Sequence, residues 1–265
     1  MAVLAALLGV ALLCILAAPR LLTTGRTALR FPRATLALWL AVFATGAAAV
    51  LGSALWTAML VVAFRETVVG VGWIATVVAW LALATCGAGA ALVLTRLEPV
   101  AGGWHAADRR VDLLAAACAI RTERTLGLDV VVVAGGAPAA FSSRAQGGRV
   151  VVTEALVGAL PADGLQAVVA HERAHLRGRH DLLLRLATLN AACLPALFGA
   201  RAFDRAAHLL VELVADDAAA RVCGAEAVAS ALSVVGDATG NEWPLVRSAR
   251  LRERRPLVGA RAATR

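Results

Sequence analysis

Three apolar stretches dominate the first 95 residues of the chain. They cover residues 2–18, 34–64 and 67–95, and none of them contains a charged side chain. A helix needs about 17–25 apolar residues to cross the ~30 Å hydrocarbon core of a bilayer. The first stretch has the minimum length, and the other two are long enough to cross with a tilt. The pattern therefore predicts three transmembrane helices.

The first stretch also has the length of a secretory signal peptide. Signal peptides carry positive charge before their apolar run, whereas in this chain the arginines, beginning with Arg20, come after it. We therefore favour an uncleaved membrane anchor.

The charges of the two connecting loops predict the orientation. Residues 20–33 contain four arginines and no acid, while residues 64–67 contain one arginine and one glutamate. The positive-inside rule places the first loop in the cytoplasm and the N-terminus outside. We therefore expect a multi-pass protein of the plasma membrane in which everything after Arg96 is cytoplasmic.

Beyond Arg96 the pattern becomes that of a folded domain. The spacing of apolar positions predicts a helix over residues 108–128. The valine-rich runs 129–135 and 149–156 predict strands of a small sheet or hairpin. Pro161 is expected to open the next helix, with Leu160 as a poor cap residue.

The apolar segment 182–203 raises the question of a fourth span. It contains Arg185, Asn190 and Pro195, so we predict two helices broken near Pro195 rather than a crossing. The predicted fold class is a membrane α-helical region plus a cytoplasmic α+β domain that is mostly helical with a small sheet. The predicted domain bounds are 1–95 for the membrane region, 96–246 for the folded domain and 247–265 for a basic tail that is solvated or faces lipid headgroups.

Composition supports a membrane protein and limits the other classes. Hydrophobic residues make up 60% of the 265 residues, above the roughly 45–50% of soluble domains. All 26 basic residues are arginine and the net charge is +8, but neither an aromatic-interleaved basic patch nor a helix-turn-helix pattern is visible. We therefore expect no direct nucleic-acid partner. The five cysteines are scattered, which fits a reducing compartment.

The strongest chemical signal is the pentapeptide HERAH at residues 171–175. Residues four apart share one face of a helix, so His171 and His175 can bind one zinc ion. Glu172 does not bind the metal in such motifs; it acts as the general base on the attacking water. The pattern predicts a zinc peptidase centre with one Zn²⁺ per chain.

Two sources of a third ligand are open. Residues 171–181 fit the metzincin spacing with Asp181 in third place, but both methionines lie upstream and cannot form the methionine turn of that class. The helical segment 206–222 instead offers Glu212, which completes a His₂Glu set. Asp216, one turn later, is expected to orient a ligand imidazole. Since the chain has no tyrosine, His208 and His180 are candidate oxyanion stabilisers, although both also fit packing or surface roles.

The segments LQAVVAHERAHLRGRHD and HLLVELVADDAAA resemble the BlaR/MecR-type antirepressor membrane metallopeptidases, which are gluzincins related to HtpX and the CAAX-prenyl-protease group. The resemblance covers about residues 96–255. It implies that His171, His175 and Glu212 bind zinc, that Glu172 is the base and that Asp216 supports a ligand. It also implies proteolysis in the cytoplasm, either of the chain itself or of a partner protein, which often ends in inactivation of a transcriptional repressor.

One departure from that family bears on function. Its β-lactam-sensing members carry a fourth span and an extracellular penicillin-binding module after the peptidase domain. No such module follows here, so we expect no β-lactam sensing of that kind. The expected function is an integral membrane zinc endopeptidase whose partners are a protein substrate and the lipid bilayer. The alternative is a non-catalytic zinc-binding membrane adaptor, which would have no use for Glu172.

Overall fold

The computed structural model describes residues 2–23, 27–64, 72–144 and 148–253. The chain divides into two compact units. We call Met1–Gly103 with Leu184–Leu210 the apolar unit, and Trp104–Leu183 with Val211–Arg265 the sheet unit. The predicted loop charges Arg65 and Glu66 lie outside the described residues.

The apolar unit is built from helices. It contains α1 (Ala2–Leu12), a π-helical segment (Leu13–Ala17), α2 (Ala18–Thr23), α3 (Thr27–Arg30), α4 (Pro32–Phe64) and the first part of α5 (Gly72–Ala117). Long apolar side chains such as Leu55 and Val62 are exposed along α4, as expected of a surface that faces lipid.

Within the described residues, three helical stretches are long and apolar enough to cross a membrane: Ala2–Leu22, Pro32–Ala63 and Trp80–Ala117. Their number agrees with the sequence prediction, and their orientation stays a prediction. The expected end of the third span at Thr95 is not a helix end. Helix α5 continues past Pro99 to Ala117, and its last part, residues 106–117, is rich in alanine, leucine and arginine, which are good helix formers.

The helix expected over residues 108–128 is only half correct. Helix α5 ends at Ala117, and residues 119–125 form strand β1 (Ala119–Thr125). The β-branched residues of AIRTERT favour a strand. Leu126 and Gly127 both have positive φ, the geometry of a two-residue hairpin turn that pairs β1 with β2 (Leu128–Val133).

The sheet has four strands in the order β1-β2-β4-β3. Strand β3 (Ala140–Ser143) forms one edge and pairs antiparallel with β4 (Arg149–Thr153). The two valine-rich runs are strands, as predicted, but β2 and β4 pair in parallel and so do not form a hairpin. Parallel strands are usually buried on both faces, which explains their unbroken valine runs.

Alternate valines of β2 and β4 enter two different cores. Val131 and Val151 face α5 on one side. Val130 and Val150 face the other side, where several helices pack, among them α7, which carries HERAH. These helices include α6 (Glu154–Ala159), α7 (Ala162–Gly178) and α10 (Ala225–Thr239). The sheet is thus the rigid support of the HERAH helix.

Helix starts differ from the predictions by small shifts. Thr153 caps α6, its hydroxyl accepting a hydrogen bond from the Leu156 N–H. The cap residue of α7 is Pro161 itself rather than Leu160. Helix α7 ends where Arg179 takes a left-handed conformation. The segment 182–203 contains the predicted break, between α8 (His180–Cys193) and α9 (Phe198–Cys223).

The prediction of a solvated basic tail from Arg247 is wrong for its first residues. Helix α11 (Glu242–Glu253) continues through them, and Arg247, Arg250 and Leu251 are buried in it. Both arginines find carboxylate partners on α9, which offsets the cost of burying their charge. Residues 254–265 lie outside the described part of the chain.

Candidate metal centre

Helix α7 brings the two histidines of HERAH together. The Nε2 atoms of His171 and His175 lie 3.1 Å apart, since residues at i and i+4 share one face of a helix. Both imidazoles are largely shielded, with 15% and 16% of their side-chain surface exposed.

Helix α9 adds the carboxylate of Glu212. Its Oε2 lies 3.5 Å from His171 Nε2, and its Oε1 lies 3.5 Å from His175 Nε2. Among the described residues, these three form the group that could hold a metal ion. Each offers one ligand atom, and the three atoms lie within 4.8 Å of one another. Tetrahedral Zn–N bonds of about 2.0–2.1 Å place two ligand nitrogens roughly 3.3 Å apart. The observed spacings therefore fit zinc.

Asp216 lies behind His171. The Nδ1–H of His171 donates to Asp216 Oδ1 at 3.0 Å, and the Asp216 side chain is fully buried. A hydrogen bond donated by Nδ1 fixes the tautomer in which Nε2 carries the free lone pair of the ring. This is the tautomer that a metal ligand requires. Asp216 therefore has the position expected from the sequence for a residue that orients a ligand imidazole.

The pKa values of the two histidines are shifted in opposite directions. Burial lowers the pKa of His171, but its hydrogen bonds to Asp216 and Glu212 outweigh this and raise it to about 9. Burial and the neighbouring positive charge of His171 lower the pKa of His175 to about 4. Such opposed shifts in one cleft are typical of functional sites.

Glu172 follows His171 on α7, and both residues line a cavity. Burial raises the pKa of its carboxyl, although the positive charge of His171 and a hydrogen bond from the Ser142 hydroxyl oppose the rise. Ser142 belongs to β3, the edge strand. The base candidate thus lies between the metal-binding group and the edge of the sheet.

The sequence analysis missed Arg247. Its Nε and Nη2 donate to the two oxygens of Asp216 at 2.7 and 2.6 Å, and its Nη1 lies 2.8 Å from Glu212 Oε2. Pro244 in the first turn and the Asn241 side chain that accepts from the Trp243 N–H mark the start of α11. These start signals were available in the sequence and could have revealed that Arg247 lies on a helix.

The other predicted residues are placed elsewhere. His180 is buried, and its Nδ1 lies 3.2 Å from His175 Nδ1, on the ring side opposite to the ligand nitrogen. A side chain at Gly178 would overlap the His180 ring. In this position His180 packs against His175, and its oxyanion role stays a prediction. His208 belongs to the apolar unit, is 56% exposed and lies 3.8 Å from Asp204; its oxyanion role stays a prediction.

Asp181 does not join the metal-binding group. Its Oδ1 pairs with Arg144 Nε at 3.0 Å, and the group with metal-binding geometry uses Glu212 as the third member. The geometry therefore favours the His₂Glu set over the metzincin alternative.

An apolar cavity of about 200 Å³ opens next to the site. Helix α10 contributes Val228, Ala231, Leu232 and Val235, and His171 and Glu172 stand at its polar side. Arg247 also lines the cavity, but its guanidinium is already bound to carboxylates. The cavity therefore offers an uncharged wall beside the candidate catalytic group.

Comparison with known families agrees with this geometry. Residues 105–235 match the model of Peptidase family M48. The match supports the M48 metallopeptidase family, whose members are zinc metallopeptidases. Neither the curated proteins nor the solved structures gave a match.

Proposed function

We propose that this chain is a membrane-anchored zinc endopeptidase with a His171–His175–Glu212 centre. The observation that carries the proposal is the convergence of these three ligands with Glu172 beside a cavity. The M48 match covers both helices that supply the ligands. A structural zinc site has no need of a partly buried carboxylate next to the metal, which favours a peptidase over an adaptor.

In the proposed peptide hydrolysis, individual residues of the chain have separate roles. Zinc, when bound, supplies Lewis-acid polarisation and acidifies a water molecule. Glu172 takes the proton of the attacking water and delivers it to the leaving amine, and burial, which raises the pKa of its carboxyl, makes it a stronger base. Asp216 keeps His171 in its ligand tautomer.

The edge of the sheet and the cavity provide a place for substrate. Strand β3 ends the sheet next to Glu172, so an extended substrate segment can add to it as a further strand. A substrate side chain then enters the apolar cavity. An engineered cavity of about 150 Å³ binds benzene, so a leucine or phenylalanine side chain is of suitable size for this one.

The membrane topology and the biological substrate belong to the same proposal. The three apolar stretches and the loop arginines support a cytoplasmic catalytic domain. The BlaR/MecR-type resemblance supports a protein substrate near the membrane, such as a transcriptional repressor.

The test is cleavage of a fluorescently labelled, unfolded casein by detergent-purified protein, compared with Glu172→Gln. The proposal expects cleavage by wild type, loss of cleavage with a chelator, recovery with zinc and at most residual cleavage by the variant. An adaptor would bind zinc and leave casein intact in both proteins. Equal cleavage by both would show that another peptidase contaminates the sample and would remove the support for the proposal.

A further inference from the structure

The ring of His180 lies against the side of His175 that points away from the metal-binding group. The Nδ1 atoms of the two residues are 3.2 Å apart, and the rings meet edge to face with their centroids 4.8 Å apart. The other ring nitrogen of His175, Nε2, lies 3.1 Å from His171 Nε2 and 3.5 Å from Glu212 Oε1. His175 is thus contacted by the metal-binding group through one nitrogen and by His180 through the other.

The turn after α7 brings His180 to this position. Helix α7 ends at Gly178, and Arg179 takes a left-handed conformation with φ 49°. Helix α8 then begins at His180, which is only five residues after His175 and yet contacts it. A Cβ atom at position 178 would overlap Nε2 of His180. Glycine at this position therefore leaves the space that the His180 ring occupies.

The positions of the ring protons follow from these contacts. A histidine binds zinc through a nitrogen that carries no proton, so a neutral His175 that binds through Nε2 carries its proton on Nδ1. That N–H faces Nδ1 of His180, which must then be the acceptor, with the proton of His180 on its own Nε2. His180 is only 5% exposed, and burial favours the neutral ring that this arrangement requires.

The two histidines of HERAH therefore have the same kind of support from different residues. Metal-binding histidines donate the N–H of their second nitrogen to a neighbouring acceptor, which fixes the tautomer and the ring orientation. For His171 this acceptor is the Asp216 carboxylate. For His175 the hydrogen-bond geometry provides the imidazole of His180.

We propose that His180 is a positioning residue that accepts a hydrogen bond from His175 Nδ1–H and so keeps Nε2 of His175 available for zinc. The inference rests on the proposed zinc site and goes beyond it, since it assigns a role to a histidine outside the HERAH motif. An uncharged acceptor forms a weaker hydrogen bond than a carboxylate. The loss of His180 should therefore weaken zinc binding less than the loss of Asp216.

The experiment measures the zinc affinity of full-length, detergent-purified protein by competition with a chromophoric chelator. It compares wild type with His180→Asn and His180→Leu. Asparagine and leucine have the same size and branching, but only asparagine has an oxygen that can replace Nδ1 as the acceptor. We expect zinc affinity to fall about tenfold in His180→Leu and to stay close to that of wild type in His180→Asn. Thermal unfolding of the zinc-free proteins measures the packing cost separately.

The pair of variants separates a positioning role from the other roles of a buried histidine. Equal losses of zinc affinity in both variants would make His180 a packing residue and overturn the inference. Wild-type affinity in both variants, with a lower kcat for casein cleavage, would favour the oxyanion role and overturn it as well. If wild type itself binds no zinc, the zinc site falls, and this inference falls with it.

A second pair of variants keeps every histidine and serves if the His180 variants do not fold. Gly178→Ala forces the His180 ring away from its place, so zinc affinity should fall as in His180→Leu. Gly158→Ala is the control, because a Cβ atom there meets nothing within 4 Å, and it should bind zinc like wild type. Equal affinities in these two variants would contradict the positioning role.

Discussion

Two of the carboxylate–arginine networks in the sheet unit look alike in composition and differ in chemistry. Asp112 accepts from Arg149 at 2.8 Å and from the Ser143 hydroxyl at 2.9 Å, with 37% of its side chain exposed. Asp216 accepts from Arg247 and His171 and is fully buried.

Burial decides what the two networks do to their neighbours. A hydrogen bond from Arg149 lowers the pKa of Asp112. The two side chains form an ordinary surface ion pair. At Asp216, burial opposes ionisation, but the hydrogen bonds from Arg247 and His171 prevail and lower its pKa to about 2. The charge fixed there then raises the pKa of His171. Similar residue types thus shift the pKa of a neighbouring histidine in the network from which water is excluded.

The largest expected effect comes from the proposed base. Glu172→Gln removes the proton acceptor without removing a metal ligand, so casein cleavage should fall by about 10²–10⁴-fold while the zinc content stays that of wild type. Initial rates and elemental analysis on the same samples check this. A variant that loses its zinc would place Glu172 among the ligands instead.

Asp216→Asn tests the buried network itself. The amide cannot pair ionically with Arg247 or stabilise the His171 tautomer as a carboxylate does, so zinc affinity should fall roughly 10–100-fold. Competition with a chromophoric chelator measures it. Asp217→Asn, which loses the ion pair with Arg250, is the control and should bind zinc like wild type. Equal affinities in all three proteins would remove Asp216 from the site.

The cavity gives an intermediate effect. Peptides with leucine next to the scissile bond should be cleaved at least about tenfold better than those with alanine, the selectivity that an apolar pocket gives. Ala231→Leu fills part of the cavity and should reduce this preference. Ala227→Leu, on the same helix but outside the cavity lining, should leave it unchanged. A preference that survives Ala231→Leu would place the substrate side chain elsewhere.

The smallest effect belongs to the half-exposed network. Asp112→Asn should lower the free energy of unfolding by at most about 1 kcal/mol and leave zinc binding intact. Because the pKa of Asp112 is lowered on folding, the ionised carboxylate stabilises the fold above its usual pKa of 3.8, and this stabilisation is lost as the pH falls below that value. Thermal unfolding of both proteins at pH 7 and at low pH should show the difference only at pH 7.

The parts of the molecule that could be predicted are those encoded by local periodicity. The spacing of His171 and His175, and of Glu212 and Asp216, places each pair on one helix face, so both helices and their inward residues followed from the sequence. The length of the apolar stretches predicted the three candidate spans in the same way.

What escaped prediction depends on contacts between distant segments. Arg247 looked like one of many arginines in a basic run, because only the packing of α11 against α9 shows that two of them are buried. Strand β1 was read as helix because AIRTERT follows a strongly helical stretch, and its pairing with β2 is what decides its structure. His180 could not be assigned because its ring direction depends on the turn after α7.

The most direct test of the central claim is the zinc content of detergent-purified protein, measured by elemental analysis for wild type, Glu212→Ala and Asp181→Ala. The account predicts one zinc per chain in wild type, kept in Asp181→Ala and lost in Glu212→Ala. Loss in Asp181→Ala alone would restore the metzincin arrangement. Wild-type protein that holds no zinc even after reconstitution would contradict the metallopeptidase account altogether.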